Sequence, residues 1–159
     1  MSWFSDDAFI ESGKNGFITD EKVFEMYALY TLRYFPKGMK NCYNLPLERQ
    51  GKYLVRAGFY YGNYDSLSKP PMFDLEINGN ILLTVNASAS NKPIFHEVMF
   101  VTSKDSIPVC LVRTQKWQIP FISSIEAIFI HKDVYKFLRT DKVLYLENRI
   151  NYGPNDGVP

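Results

Sequence analysis

The sequence predicts an all-β domain of the sandwich class, and three observations carry that expectation. Apolar residues recur with a period of two in several short runs, as at Tyr53, Val55, Ala57 and Phe59 and again at Phe73, Leu75 and Ile77. Turn-forming residues separate those runs every ten positions or so, and no helical patterns alternate with them. Aromatic residues, which strands favour, make up 16% of the chain.

In chain order, the first 30 residues start with Trp3, Asp6, Asp7 and Phe9-Ile10, with Ser12-Gly13 and Asn15-Gly16 as turns. Glu21 to Tyr30 fits either a short helix or a loop. Thr31 to Phe35 is extended, Pro36 to Gly38 interrupts it, and Asn41 to Leu45 resumes it. Pro46 to Gly51 is a polar turn into the most regular alternation of the chain, which continues to Tyr61. Continued alternation would turn Tyr61 towards the core and Tyr60 away from it. Tyr60, Tyr61, Gly62, Asn63, Tyr64 and Asp65 then form a loop of rings and turn formers.

Phe73 to Ile77 stops at Asn78-Gly79, a hairpin signal. A two-residue loop would set Ile81, Leu83 and Val85 on the face of Asp74 and Glu76. A three-residue loop with a bulge aligns them with Leu75 and Ile77 and is the expectation. Asn86 to Pro93 is a loop, Phe95 to Val101 and Ile107 to Val112 are strands, and Gln115 to Ile119 is a loop holding Trp117. Phe121 to Ile130, with Glu126 inside it, is expected to be one buried strand. Residues 131–150 fit helix or strand, and 151–159 a linker or frayed tail.

A chain of 159 residues fits one domain with its own core, here 1–150. The composition, 46% apolar and 22% charged, is that of an ordinary globular protein. A net charge of +1 offers no footprint for nucleic acid or for an anionic membrane. No run has the length of a membrane span, and Met1 to Asp6 has no signal-peptide pattern. Cys42 and Cys110 are too few for a closed zinc site, and His96 and His131 stand apart, so no metal or other cofactor is expected. Two readings of the cysteines are open: a disulfide, which would close a loop of about 68 residues, or two buried thiols. The first is the expectation for secreted material. No nucleophile elbow, zinc-protease helix, phosphate-binding loop or dinucleotide fingerprint occurs, which argues against an enzyme.

Several strings, in order, resemble the plant malectin-like domain of receptor-like kinase ectodomains, often found beside leucine-rich repeats. They are Ser5-Asp6-Asp7 with Phe9-Ile10 and Gly13-Lys14-Asn15, then LRYFPKGMKNCYNL from Leu32. KYLVRAGFYYGNYDS follows from Lys52, PMFDLEING from Pro71, VCLVRT from Val109 and PFISSIEAIFI from Pro120. The resemblance implies a jelly-roll β-sandwich related to animal malectin, an endoplasmic-reticulum lectin. It implies one lobe of a tandem ectodomain, lacking the family's opening strand before Trp3, at the extracellular face of the plasma membrane. The kinase of a full-length relative would be a separate domain.

The implied function is a non-catalytic, carbohydrate-binding-type module for oligosaccharides or cell-wall glycans. The alternative is a protein-interaction module for a secreted peptide or co-receptor. Candidate ligand residues are Tyr60, Tyr61, Asn63, Tyr64, Asp65 and Trp117, since sugar sites combine aromatic faces with hydroxyl, amide and carboxylate partners. Tyr60 and Tyr61 match an aromatic pair that contacts sugar in animal malectin. The acidic contact made there from a later loop aligns near Phe121, where no acid stands. Asn86-Ala87-Ser88 is a glycosylation sequon, meaningful on the secretory route.

Overall fold

The computed structural model describes residues 3–18, 27–88 and 92–147. Among these residues there are eleven strands: β1 (Lys14–Phe17), β2 (Thr31–Tyr34), β3 (Lys40–Pro46), β4 (Gly51–Phe59), β5 (Met72–Ile77) and β6 (Asn80–Asn86), then β7 (Ile94–Thr102), β8 (Ser106–Arg113), β9 (Phe121–Ile122), β10 (Ser124–Ile130) and β11 (Val143–Tyr145). Single 3-10 turns occur at Asp6–Ala8 and Tyr27–Tyr30. Of the segment expected to be helix or loop, only Tyr27–Tyr30 is described, and it is the second of these turns. The tail expected at 151–159 lies outside the described residues.

Two four-stranded antiparallel sheets, ordered β10-β4-β7-β11 and β3-β8-β5-β6, form a jelly-roll β-sandwich, and a three-stranded sheet β1-β2-β9 adjoins it. The alternation of β4 puts Tyr53, Val55, Ala57 and Phe59 in the core, opposite Phe73, Leu75, Val109 and Leu111 from the other sheet. Phe59, Phe73 and Phe121 meet edge to face with ring centroids 5.7–6.2 Å apart, joining all three sheets.

Three expectations are corrected. β4 ends at Phe59, so the period of two lapses before the tyrosines, and Tyr60 is 4% exposed and sits in the core. Tyr61 is half-buried and packs against the same core, so the outward turn expected of Tyr60 is what the structure overturns. The hairpin turn is the two-residue Asn78-Gly79, with φ of 54° and 88°, the left-handed backbone that such turns require. The bulge lies further along, between Leu75 and Glu76: Leu83 and Val85 still face Leu75 and Phe73, while Ile81 faces Glu76 and is 60% exposed. Finally, Phe121 to Ile130 is two strands in two sheets. β9 pairs with β2 and β10 with β4, and Ser123 between them holds Gly58 and Tyr60 through its N–H and hydroxyl. Residues 132–137 form turns, and β11 pairs with β7.

Cys42 and Cys110 are directly opposed on β3 and β8 and joined as a disulfide, with Cα atoms 4.0 Å apart. The bridge lies on the sheet's outer face, with Glu76 of β5 opposite Cys110 in the next ladder and salt-bridged to Lys40.

Candidate functional site

The loop after β4 is built from its own side chains. Gly62, Asn63, Ser66 and Ser68 all have φ between 46° and 58°, a left-handed conformation that is unfavourable for serine. Local hydrogen bonds hold it there. The Tyr61 hydroxyl donates to Asp65 and accepts from the Lys69 N–H at 3.2 Å. Asn63 Oδ1 accepts from the Ser68 N–H at 2.8 Å, and Asp65 Oδ1 from the Leu67 N–H at 3.1 Å. Burial, reinforced by the hydrogen bond to Asp65, pushes the Tyr61 hydroxyl up to about 12.

The rings lean inward. Tyr64 packs against Tyr34 at 5.2 Å, Tyr61 at 5.6 Å and Phe121 at 5.8 Å, and burial with the nearby Asp65 charge raises its pKa. The small sheet covers this side: a Cβ on Gly62 would lie 2.5 Å from Ile18, and one on Gly16 would lie 3.4 Å from the Tyr64 ring. Gly62 therefore needs both its positive φ and its missing side chain. The structure thus brings Tyr61, Asn63, Tyr64 and Asp65 together and leaves Tyr60 beneath them.

Trp117 stands apart on the loop after β8 and is 75% exposed. Its loop is tied to the start of β5, where Gln118 accepts from the Met72 N–H at 2.6 Å and Thr114 donates to the Met72 carbonyl at 3.0 Å. Asn86 is the last residue of β6, and its Oδ1 accepts from the N–H and hydroxyl of Ser88, at 3.1 and 2.6 Å.

Two ionic clusters were not anticipated from the residues. Arg33 on β2 holds Asp6 with both ends of its fork, at 2.7 and 2.8 Å, and reaches Asp7 at 2.6 Å. Tyr43 donates to the same Asp6 carboxylate at 2.8 Å. Arg56 on β4 pairs with Glu97 of β7 and, at 3.3 Å, with Glu126 of β10, its direct neighbours across both ladders. The visible signals were Arg33 inside an extended run and Glu126 inside an apolar one. The Arg33 hydrogen bonds, followed by that from Tyr43, outweigh burial and hold the Asp6 carboxyl below its ordinary 3.8. A depressed carboxylate contributes stability above its unfolded pKa and loses it as pH falls through the folded value. The urea midpoint is therefore expected to be flat near neutrality and to fall below about pH 4, with a shallower fall in Asp6→Asn. Parallel acid titrations of the two proteins check this; identical slopes would refute it.

The malectin-like domain model matches residues 1–158. The chain belongs to the malectin-like family. Malectin-like domains are non-catalytic binding modules. This malectin-like chain is 41% identical over 140 residues to "Probable LRR receptor-like serine/threonine-protein kinase At1g51810" of Arabidopsis thaliana, covering 85% of this chain and 15% of that protein. It is 37% identical over 137 residues to "Receptor-like protein kinase At3g21340" of the same plant, with the same coverage. The chain thus spans about a seventh of the length of these relatives.

Among solved structures, the ANX1 ectodomain of Arabidopsis thaliana shares the malectin-like fold with a TM-score of 0.67 and 24% identity, over 79% of this chain and 36% of that one. A structure of the plant peptide RALF23 in complex with FER and LLG2 matches with a TM-score of 0.71 and 17% identity, over 91% and 43%. No helix among the described residues is long and apolar enough to cross a membrane.

Proposed function

We propose that this chain is one recognition lobe in the extracellular part of a plant receptor-like kinase, binding a secreted peptide or co-receptor rather than a free sugar. One observation carries the choice of ligand. The polar groups of Tyr61, Asn63 and Asp65, which a sugar's hydroxyls would need, already hold the 61–69 loop in shape. The loop after β8, tied to the start of β5, offers Trp117 as an exposed ring for a partner. The receptor-kinase relatives support the setting, and the RALF23–FER–LLG2 assembly supports a peptide and co-receptor as the ligand class.

The test sets two titrations of the full chain side by side. Peptides and co-receptor ectodomains secreted by the source plant should bind saturably, and Trp117→Ala should weaken them by about tenfold, as for an aromatic anchor. Glucose-capped and cell-wall oligosaccharides should give no saturable response at millimolar concentration. Saturable oligosaccharide binding, lost in Tyr64→Ala, would instead establish the glycan reading, which the half-buried faces of Tyr61 and Tyr64 favour.

The same setting makes Asn86 a glycan acceptor, its side chain presented at a strand end beside Ser88. Protein from a secreting host should carry an endoglycosidase-sensitive mass increment that Asn86→Gln abolishes. An unmodified Asn86 in secreted protein would refute this.

A further inference from the structure

At the end of the sheet β3-β8-β5-β6 where β3 and β5 begin and β8 stops, three connections meet. Arg113, the last residue of β8, staples two of them together. Its N–H donates to the Met39 carbonyl at 2.7 Å, and its guanidinium donates to the carbonyls of Phe35 and, at 3.0 Å, Lys116. The third joins through Met72, whose N–H and carbonyl are held by Gln118 and Thr114. Residues 35–39, 66–72 and 113–118 thus contribute to one surface. Asn86 lies beyond Met72 on the edge strand β6, so its glycan would border this surface on the side away from Met39.

Two properties mark it. It presents apolar side chains to solvent: Trp117, Met39 at 62% exposure and Met72 at 41%. It is also cationic. The three segments carry Lys37, Lys69, Arg113 and Lys116 and no aspartate or glutamate, in a chain of net charge +1. The three lysines are exposed, and none of them meets a carboxylate among the described residues. Arg113 meets carbonyl oxygens only, so its charge is uncompensated. The flanking charges are already paired or bonded: Lys40 is held by Glu76, and Asp65 accepts from the Tyr61 hydroxyl and the Leu67 N–H.

We propose that this surface docks an acidic segment of a secreted polypeptide, with an apolar side chain set against Trp117, Met39 and Met72 and carboxylates on either side of it. The inference rests on the reading of the chain as a polypeptide-recognition lobe and adds the chemistry of the partner. Unpaired cations around an apolar centre attract carboxylates and turn away basic partners by like-charge repulsion. The same repulsion disfavours a second copy of this chain, which would bring lysines against lysines. The methionines select polypeptide over acidic polysaccharide. Their thioethers adapt to apolar side chains of varied shape, whereas a sugar acid would use Trp117 and the lysines and leave both methionines without a partner.

Titration of the full chain, followed by amide and indole chemical shifts, tests it with peptides of about ten residues. Each has a central leucine–phenylalanine pair, flanked on both sides by glutamate, by glutamine or by lysine. The glutamate peptide should shift residues 37–39, 72 and 114–118 saturably and bind about tenfold more tightly than the other two. Raising the salt from about 0.05 to about 0.5 M should weaken it by about tenfold. Lys37 and Lys116 are exposed and free of ion pairs among the described residues, so their variants keep the fold. Lys37→Glu and Lys116→Glu should each weaken the glutamate peptide by about threefold to tenfold, while Lys142→Glu, an exposed site outside the three segments, should bind as the parent does. Equal binding of the glutamine or lysine peptide, shifts confined to other residues, or indifference to both lysine variants would overturn the proposal. So would an oligogalacturonate that binds these residues when the glutamate peptide does not. If the plant's own secreted peptides bind through Trp117 while the glutamate peptide fails, the partner's acidity is refuted and the recognition role stands. Oligosaccharide binding in place of any peptide would refute both.

Discussion

Replacing both cysteines, as Cys42→Ala with Cys110→Ala, is expected to lower the unfolding free energy by about 4 kcal/mol. The bridge spans 68 positions, so breaking it frees a long loop in the unfolded chain. That loop holds β4, β5, β6 and β7, a large share of both sandwich sheets. The folded side changes less, because the bridge sits on an outer sheet face rather than in the aromatic core. Domains of this size are stable by about 5–15 kcal/mol, so the loss is a large fraction of the total. Urea unfolding of the double variant, and of the parent with and without reductant, measures it. Coincident midpoints for all three would show that the bridge contributes nothing.

Arg56→Ala is expected to cost about 3–5 kcal/mol, the range for removing one partner of a buried ion pair. Its partners Glu97 and Glu126 are 8% and 7% exposed and approach it from opposite neighbouring strands. The alanine variant leaves two carboxylates facing each other across the gap, without the cation between them. The loss belongs to broken pairing and not to the position itself. The triple variant Arg56→Leu, Glu97→Leu, Glu126→Leu should therefore recover most of it. Thermal and urea unfolding of the three proteins decide the matter, and a triple variant as unstable as Arg56→Ala would reject this account.

The sandwich was legible because burial on one face of a strand writes a period of two into the chain, as in Tyr53 to Phe59. The ends of elements were less legible. Nothing in Phe59-Tyr60-Tyr61 marks where β4 stops, because that end is set by Ser123, 63 positions away, bonding to the Tyr60 N–H. The break between β9 and β10 was hidden for a similar reason: Phe121 to Ile130 is apolar throughout, and each part answers to a different partner strand. The candidate ligand loop was legible as a cluster. What each polar group does there was not, since Tyr61 to Lys69 and Asn63 to Ser68 are contacts of the folded loop. The Arg33–Asp6 and Arg56–Glu97 contacts span 27 and 41 positions, beyond the reach of local pattern.

The partition of one apolar run between two sheets has a kinetic consequence. β2 and β9 share two paired positions, whereas β10 and β4 share seven. Amide exchange is therefore expected to be faster in β9 than in β10, with Ser123 at the change, although Phe121 of β9 stays tied to the shared core through Phe59 and Phe73. Because Tyr64 of the loop rests on Phe121, any loosening of β9 is expected to reach the loop end before it reaches β10.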